Sequence, residues 1–134
     1  MTMKKILAIS ATFLLFFAAS CNVKVNTTLA KTYPPIDYRE EIRVIDLNKP
    51  IPDNAEQLGE VKIGDTGFTA KCHYDLVIET AKMEARKAGG NTIKITEHKL
   101  PSAMGSTCHR ISVLILKVNT KQLNTKQRKR PVRI

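Results

Sequence analysis

Two cysteines, Cys72 and Cys108, bracket the part of this chain in which the local structural signals are clearest. Between them lie an amphipathic stretch closing on Gly89-Gly90, an alternating stretch opening at Asn91-Thr92-Ile93, and a loop around Pro101 and Gly105. A bond or a shared ion between the two cysteines would oblige the entry of a helix and the start of the last strand to lie side by side. No other feature limits the fold as tightly, because the rest of the folded part is short. Once a leader and a basic tail are set aside, about 80 residues remain for one domain. A domain of that size buries a modest share of its surface, so a covalent staple would matter to its stability.

The leader is read from charge and side-chain size. Lys4 and Lys5 form a short basic start, and residues 6–20 are uncharged and end in Ala18-Ala19-Ser20. That run is too short for a comfortable membrane span and has the small-residue ending of a secretory signal. Cys21 follows directly, and the arrangement resembles a bacterial lipobox, with Ala18 where leucine is commoner. The expectation is a signal peptide over residues 1–20 and a lipid anchor on Cys21. At about 0.8 kcal/mol per buried methylene, several acyl chains give an effectively permanent attachment to the membrane. Asn22, in place of an aspartate, favours the outer membrane. Residues 21–41 read as a lipidated N-terminus and flexible tether, largely polar, without a sustained period and extended at Pro34-Pro35; the alternative is an irregular N-terminal arm packed on the domain.

The formal charge of +10 is unevenly distributed. Two lysines belong to the leader, and six basic residues with no acidic one lie beyond residue 118. The remaining 14 basic and 12 acidic residues leave the body nearly neutral. The tail, residues 119–134, is expected to be disordered when free. Its Lys121, Lys126, Arg128, Lys129, Arg130 and Arg133 are candidate contacts for an anionic lipid, glycan or protein surface. Nucleic acid is a poor partner, because the leader implies export and few aromatic residues accompany these charges for stacking.

Within residues 42–118 the pattern predicts one folded domain. Residues 42–47 and 58–63 read as strands, separated by a loop with Pro50 and Pro52. Asp75 is the expected N-cap of a helix. Tyr74, Val77, Ile78, Ala81, Ala85 and Ala88 form one apolar stripe, opposite Glu79, Lys82 and Arg86. Three alanines on the stripe call for close approach to a sheet, and Gly89-Gly90 supplies a left-handed stop. Residues 92–97 alternate, with Ile93 and Ile95 on one face. Residues 107–118 form a long strand, apolar on both faces from Val113 to Leu116 and therefore central. The fold class is α+β: a small, mostly antiparallel sheet in the order β-β-α-β-β, with one amphipathic helix on one face and one disulfide.

With Cys21 acylated, an even pair of cysteines in an oxidising compartment favours a Cys72–Cys108 disulfide. The alternative is a metal: Cys72-His73 and Cys108-His109 have the composition of a zinc site. Its spacing is unfavourable, since neighbouring strand residues point to opposite faces. No Cys-x-x-Cys, phosphate-cradling glycine loop, Gly-x-Ser-x-Gly, His-Glu-x-x-His or paired-carboxylate signature occurs, so neither an enzyme nor a resident cofactor is expected.

The order Leu58-Gly59-Glu60-Val61, a cysteine, a helix with Ala81-Lys82-Met83-Glu84-Ala85, Gly90-Asn91, and then Gly105-Ser106-Thr107-Cys108-His109-Arg110 resembles a known family. These are the outer-membrane sensor lipoproteins of the Rcs envelope-stress phosphorelay. The likeness covers about residues 58–118 together with the lipidated leader and the proline-containing tether. It implies an α+β domain with two disulfides that reports envelope damage through protein contacts, and Cys72 and Cys108 match one of those pairs. The second pair would fall near Lys99 and Leu114, neither of which is cysteine. The expected function is therefore a membrane-anchored envelope module that binds a protein partner or senses stress. The alternative is a small domain binding lipid, glycan or metal through the tail or the histidines.

Overall fold

The computed structural model describes residues 23–66 and 72–119; the leader, Cys21 and the basic residues of the tail lie outside that range. Among the described residues five strands and one helix follow in the order β1 (Lys24–Leu29), β2 (Arg43–Ile45), β3 (Ala55–Gly64), α1 (Tyr74–Ala88), β4 (Thr92–Lys99) and β5 (Arg110–Val118). The strands form one sheet in the spatial order β1-β3-β5-β4-β2. Three of the pairings are antiparallel, and β2 joins β4 in parallel. β5 is the middle strand, as its two apolar faces require.

Helix α1 forms where the 3.6-residue period is strongest. Val77, Ile78, Ala81, Ala85 and Ala88 are buried along it, with Tyr74 partly buried beside them. This stripe packs on Leu58, Val61, Ile63, Ile93, Ile95, Ile111, Val113 and Ile115, which together make the main core. The helix starts two residues earlier than the Asp75 cap predicts. His73 is the N-cap residue, in extended conformation and without a side-chain cap bond, and Asp75 sits in the first turn. There its carboxylate still faces the positive end of the helix dipole. Gly89 ends the helix at φ 79°, its N–H bonded to the carbonyls of Ala85 and Arg86.

The expected tether is corrected in part. Residues 24–29 add an edge strand to the sheet, pairing Lys24 with Gly64 through to Leu29 with Gly59. Past it, the N–H groups of Ala30 and Lys31 bond Leu58 O, Tyr33 N–H bonds Ala88 O, and Ile36 N–H bonds Arg86 O. The segment carries no apolar alternation, because an edge strand exposed on both faces needs none. Backbone hydrogen bonds hold it in place. The domain order is therefore β-β-β-α-β-β.

The face of the sheet away from α1 is covered at one end only. Loop residues 46–54 fold over it, enclosing a second cluster of Ile45, Leu116 and Val118 with Ala55 and Leu114. Lys94 lies beneath this loop, 7% exposed, and its Nζ donates to the carbonyls of Asp46, Leu47 and Lys49. An irregularity between Ile95 and Glu97 shifts the β4 register against β5. Ile95 thereby pairs with Val113 in the core, while Glu97 pairs with Ser112 on the uncovered face.

Candidate functional site

The antiparallel registers give the sheet two ends with different chemistry. One end gathers the start of β1, the finish of β3, the finish of β4 and the start of β5. The entry of α1 is tied to it by the bond between Cys72 and Cys108, whose Cα atoms are 5.0 Å apart. His109 N–H also donates to Cys72 O at 3.2 Å. Both sulfurs are used in this bond, so neither is a thiolate for zinc, and the cysteine-histidine ligand set is excluded in the oxidised chain.

The histidines at this end form a cluster that the sequence does not announce. His98 and His109 stack with ring centroids 5.2 Å apart, and His98 Nε2 lies 2.9 Å from His109 Nδ1. Tyr74 lies over both, at 5.0 Å and 5.7 Å. Burial holds His98 below its ordinary value, and the neighbouring His109 adds to the effect. The pair shares one hydrogen bond, which requires a lone pair on one ring and a proton on the other. His98 and Lys99 are the last residues of β4, and Arg110 opens β5, so the imidazoles sit beside a run of cations. Among the described residues no three potential metal ligands converge.

On the open face of this same end, Lys24, Asn26, Lys62, Glu97, Lys99, Arg110 and Ser112 line a shallow groove of about 150 Å³. Lys99 is paired to Glu97 at 3.2 Å, and Lys62 approaches Glu60 at 3.8 Å.

The opposite end holds a larger cleft of about 440 Å³, lined by Tyr33, Ile36, Glu40, Asn54, Glu56, Asn91, Lys117, Val118 and Asn119. Its polar groups are arranged around Glu56. Lys31 Nζ lies 2.6 Å from one carboxylate oxygen, and Tyr33 Oη donates to the other at 2.6 Å. These bonds hold Glu56 below the usual carboxylate range, the lysine contributing most, and Glu56 in turn raises Lys31. Lys117 Nζ stands 4.5 Å over the Tyr33 ring and donates to Gly89 O. Asn91 exchanges two 2.8 Å hydrogen bonds with the backbone of Val118. A carboxylate kept ionised with both oxygens engaged is poorly placed to take a proton from a substrate. The cleft has the groups of a recognition surface. Tyr38 lies between the lining residues Ile36 and Glu40, and Leu47 and Ile51 lie on the loop that ends near Asn54; all three are exposed.

Of the residues singled out from sequence, Cys72 and Cys108 are brought together. Cys21, Lys121, Lys126, Arg128, Lys129, Arg130 and Arg133 lie outside the described residues. Sequence reasoning missed Tyr33, Glu56 and Lys117, which come together only after residues 30–36 pack on the domain. The one available signal was the tyrosine beside Pro34-Pro35, an unusual residue for a solvated linker. Comparison with protein-family models, curated proteins and solved structures finds no match to this chain.

Proposed function

We propose that the chain is a bacterial envelope lipoprotein, anchored through Cys21 and facing the periplasm, that serves as a protein-interaction or stress-sensing module without catalytic activity. The lipobox-like leader supports the anchor, and the likeness to the Rcs sensor lipoproteins supports the sensing role. The observation that carries the interaction reading is the cleft around Glu56, at the end of the sheet remote from Lys24. A domain attached near Lys24 presents that cleft away from its attachment point. Exposed Tyr38, Leu47 and Ile51 next to the cleft supply the aromatic and aliphatic anchors that protein interfaces use.

The test is crosslinking in intact cells from a photoreactive residue at position 40 or 53, both exposed beside the cleft. One envelope protein should be recovered, and its yield should fall when Tyr38→Ala and Leu47→Ala are combined, with the thermal midpoint of the domain unchanged. Recovery of no protein from either position, or equal recovery by the variant, overturns the reading. Mass measurement of the membrane-extracted protein checks the anchor separately: acyl chains on Cys21 are expected.

A further inference from the structure

The groove at the other end of the sheet concentrates positive charge beyond what the fold requires. Strand register pairs Lys24 with Gly64, Asn26 with Lys62, Lys62 with Ser112 and Arg110 with Lys99. Cations from four adjacent strands therefore share one surface. Like charges at neighbouring sheet positions are unfavourable, and partners relieve this only in part. Lys99 and Lys62 have carboxylates nearby, whereas Lys24 and Arg110 make no ion pair among the described residues. Arg110 Nε is buried without a hydrogen-bond partner. Arg110 is itself only partly buried and lines the groove, so its guanidinium is a charged donor not spent on a carboxylate of the protein and suited to an oxyanion.

Two further observations say where that oxyanion comes from. Lys24 is three residues from Cys21, so the two Cα atoms are at most about 11 Å apart. β1 begins at Lys24, so no long linker intervenes between the anchor position and the groove. The loop leaving β4 at this end exposes Leu100 (66%) and Met104 (100%), apolar side chains next to the cationic row. Basic and apolar side chains presented together are what an anionic bilayer interface binds.

We infer that Lys24, Lys62, Lys99 and Arg110 form a site for the phosphate of an anionic phospholipid headgroup, seating this end of the domain on the membrane that carries the anchor. Arg110 and Lys24 supply the unpaired donors, Lys62 and Lys99 the flanking charge, and Leu100 and Met104 enter the interface. The orientation rests on the reading of Cys21 as the acylated residue; phosphate binding in the groove does not.

The test uses the chain from residue 21 onward with Cys21→Ser, which removes the lipid and leaves the rest of the exported form. Cosedimentation with vesicles of phosphatidylcholine containing phosphatidylglycerol is compared with phosphatidylcholine alone. Lys62→Gln with Lys99→Gln should weaken binding to the anionic vesicles about 30-fold. The same loss of charge in the tail, Lys121→Gln with Lys126→Gln, should weaken it less. Both groove lysines are well exposed, so the double variant keeps its fold. Amide shifts on adding short-chain phosphatidylglycerol should centre on residues 24, 62, 99 and 110. Equal losses from the groove and tail pairs, or shifts confined to the tail, overturn the site. Equal shifts with inorganic phosphate at the same concentration overturn its assignment to lipid. An unacylated native protein overturns the anchor alone, because the vesicle measurement uses no acyl chain.

Discussion

At the scale of single residues, partly buried His98 and buried Lys94 define different dependences. His98 is held low by burial and by His109. A histidine with a depressed value in the folded state takes its proton more readily when the chain unfolds. Its contribution is therefore full above the ordinary value of 6.5 and declines as pH falls through it. Chemical denaturation between about pH 7.5 and 5 should show falling stability, and His98→Asn should flatten that profile. An equal slope in the variant would assign the loss to other groups. Lys94 depends instead on geometry, since its ammonium closes the carbonyls of Asp46, Leu47 and Lys49 over the sheet. Lys94→Met keeps the stem and removes those bonds. A loss of about 1–3 kcal/mol in urea denaturation is expected, with increased exchange of amides in residues 46–54.

At the scale of elements, the contrast between α1 and β1 explains what the sequence could disclose. The helix was legible because its stripe is set by contact with the sheet: every apolar position predicted from Val77 to Ala88 is buried. β5 was legible as the central strand for the same reason, its residues from Val113 to Leu116 being covered or half-covered on both sides. β1 has exposed residues throughout and no apolar period, so side-chain pattern carries no trace of it. Its partner was more informative. A Cβ built on Gly59 would lie 2.3 Å from Thr28 O and 2.8 Å from a Leu29 side-chain carbon, so β1 can approach β3 there only because the residue is glycine. The cleft around Glu56 was hidden along with β1, since Tyr33 reaches it from the segment that β1 leads into. Gly59→Ala should push the edge strand outward at a cost of about 1–3 kcal/mol. Hydrogen exchange should then show faster amides in residues 24–31, with the β3–β5 amides slowed as before. Uniform acceleration across the sheet would mean that β1 is integral to the global fold.

At the scale of the whole molecule, the disulfide fastens the helix entry to the first residues of the central strand. Apolar packing alone leaves that corner weakly held. Tyr74 and the histidine pair are only partly buried, and residues 101–105 of the loop before Cys108 are exposed. The pairing closes a loop of about 37 residues, worth about 4 kcal/mol if chain entropy is the whole effect. Small domains have 5–15 kcal/mol in total, so the bond is a large part of what keeps this one folded. Cys72→Ser with Cys108→Ser should lower the denaturation midpoint by the equivalent of about 2–4 kcal/mol, and dithiothreitol should do the same to the native chain and nothing to the variant. The loss should be unequal across the fold, because α1 and the corner at Cys108 are released while the β3–β5 pairing keeps its register. Protection in the Tyr74 half of α1 should therefore fall before protection at Val61 and Val113. The released corner leads directly into Arg110 at the start of β5, so reduction should loosen the proposed membrane-facing end while the Glu56 cleft keeps its bonds to Lys31 and Tyr33. If reduction leaves stability and exchange unchanged, the main core suffices to hold the corner and the bond is structurally redundant.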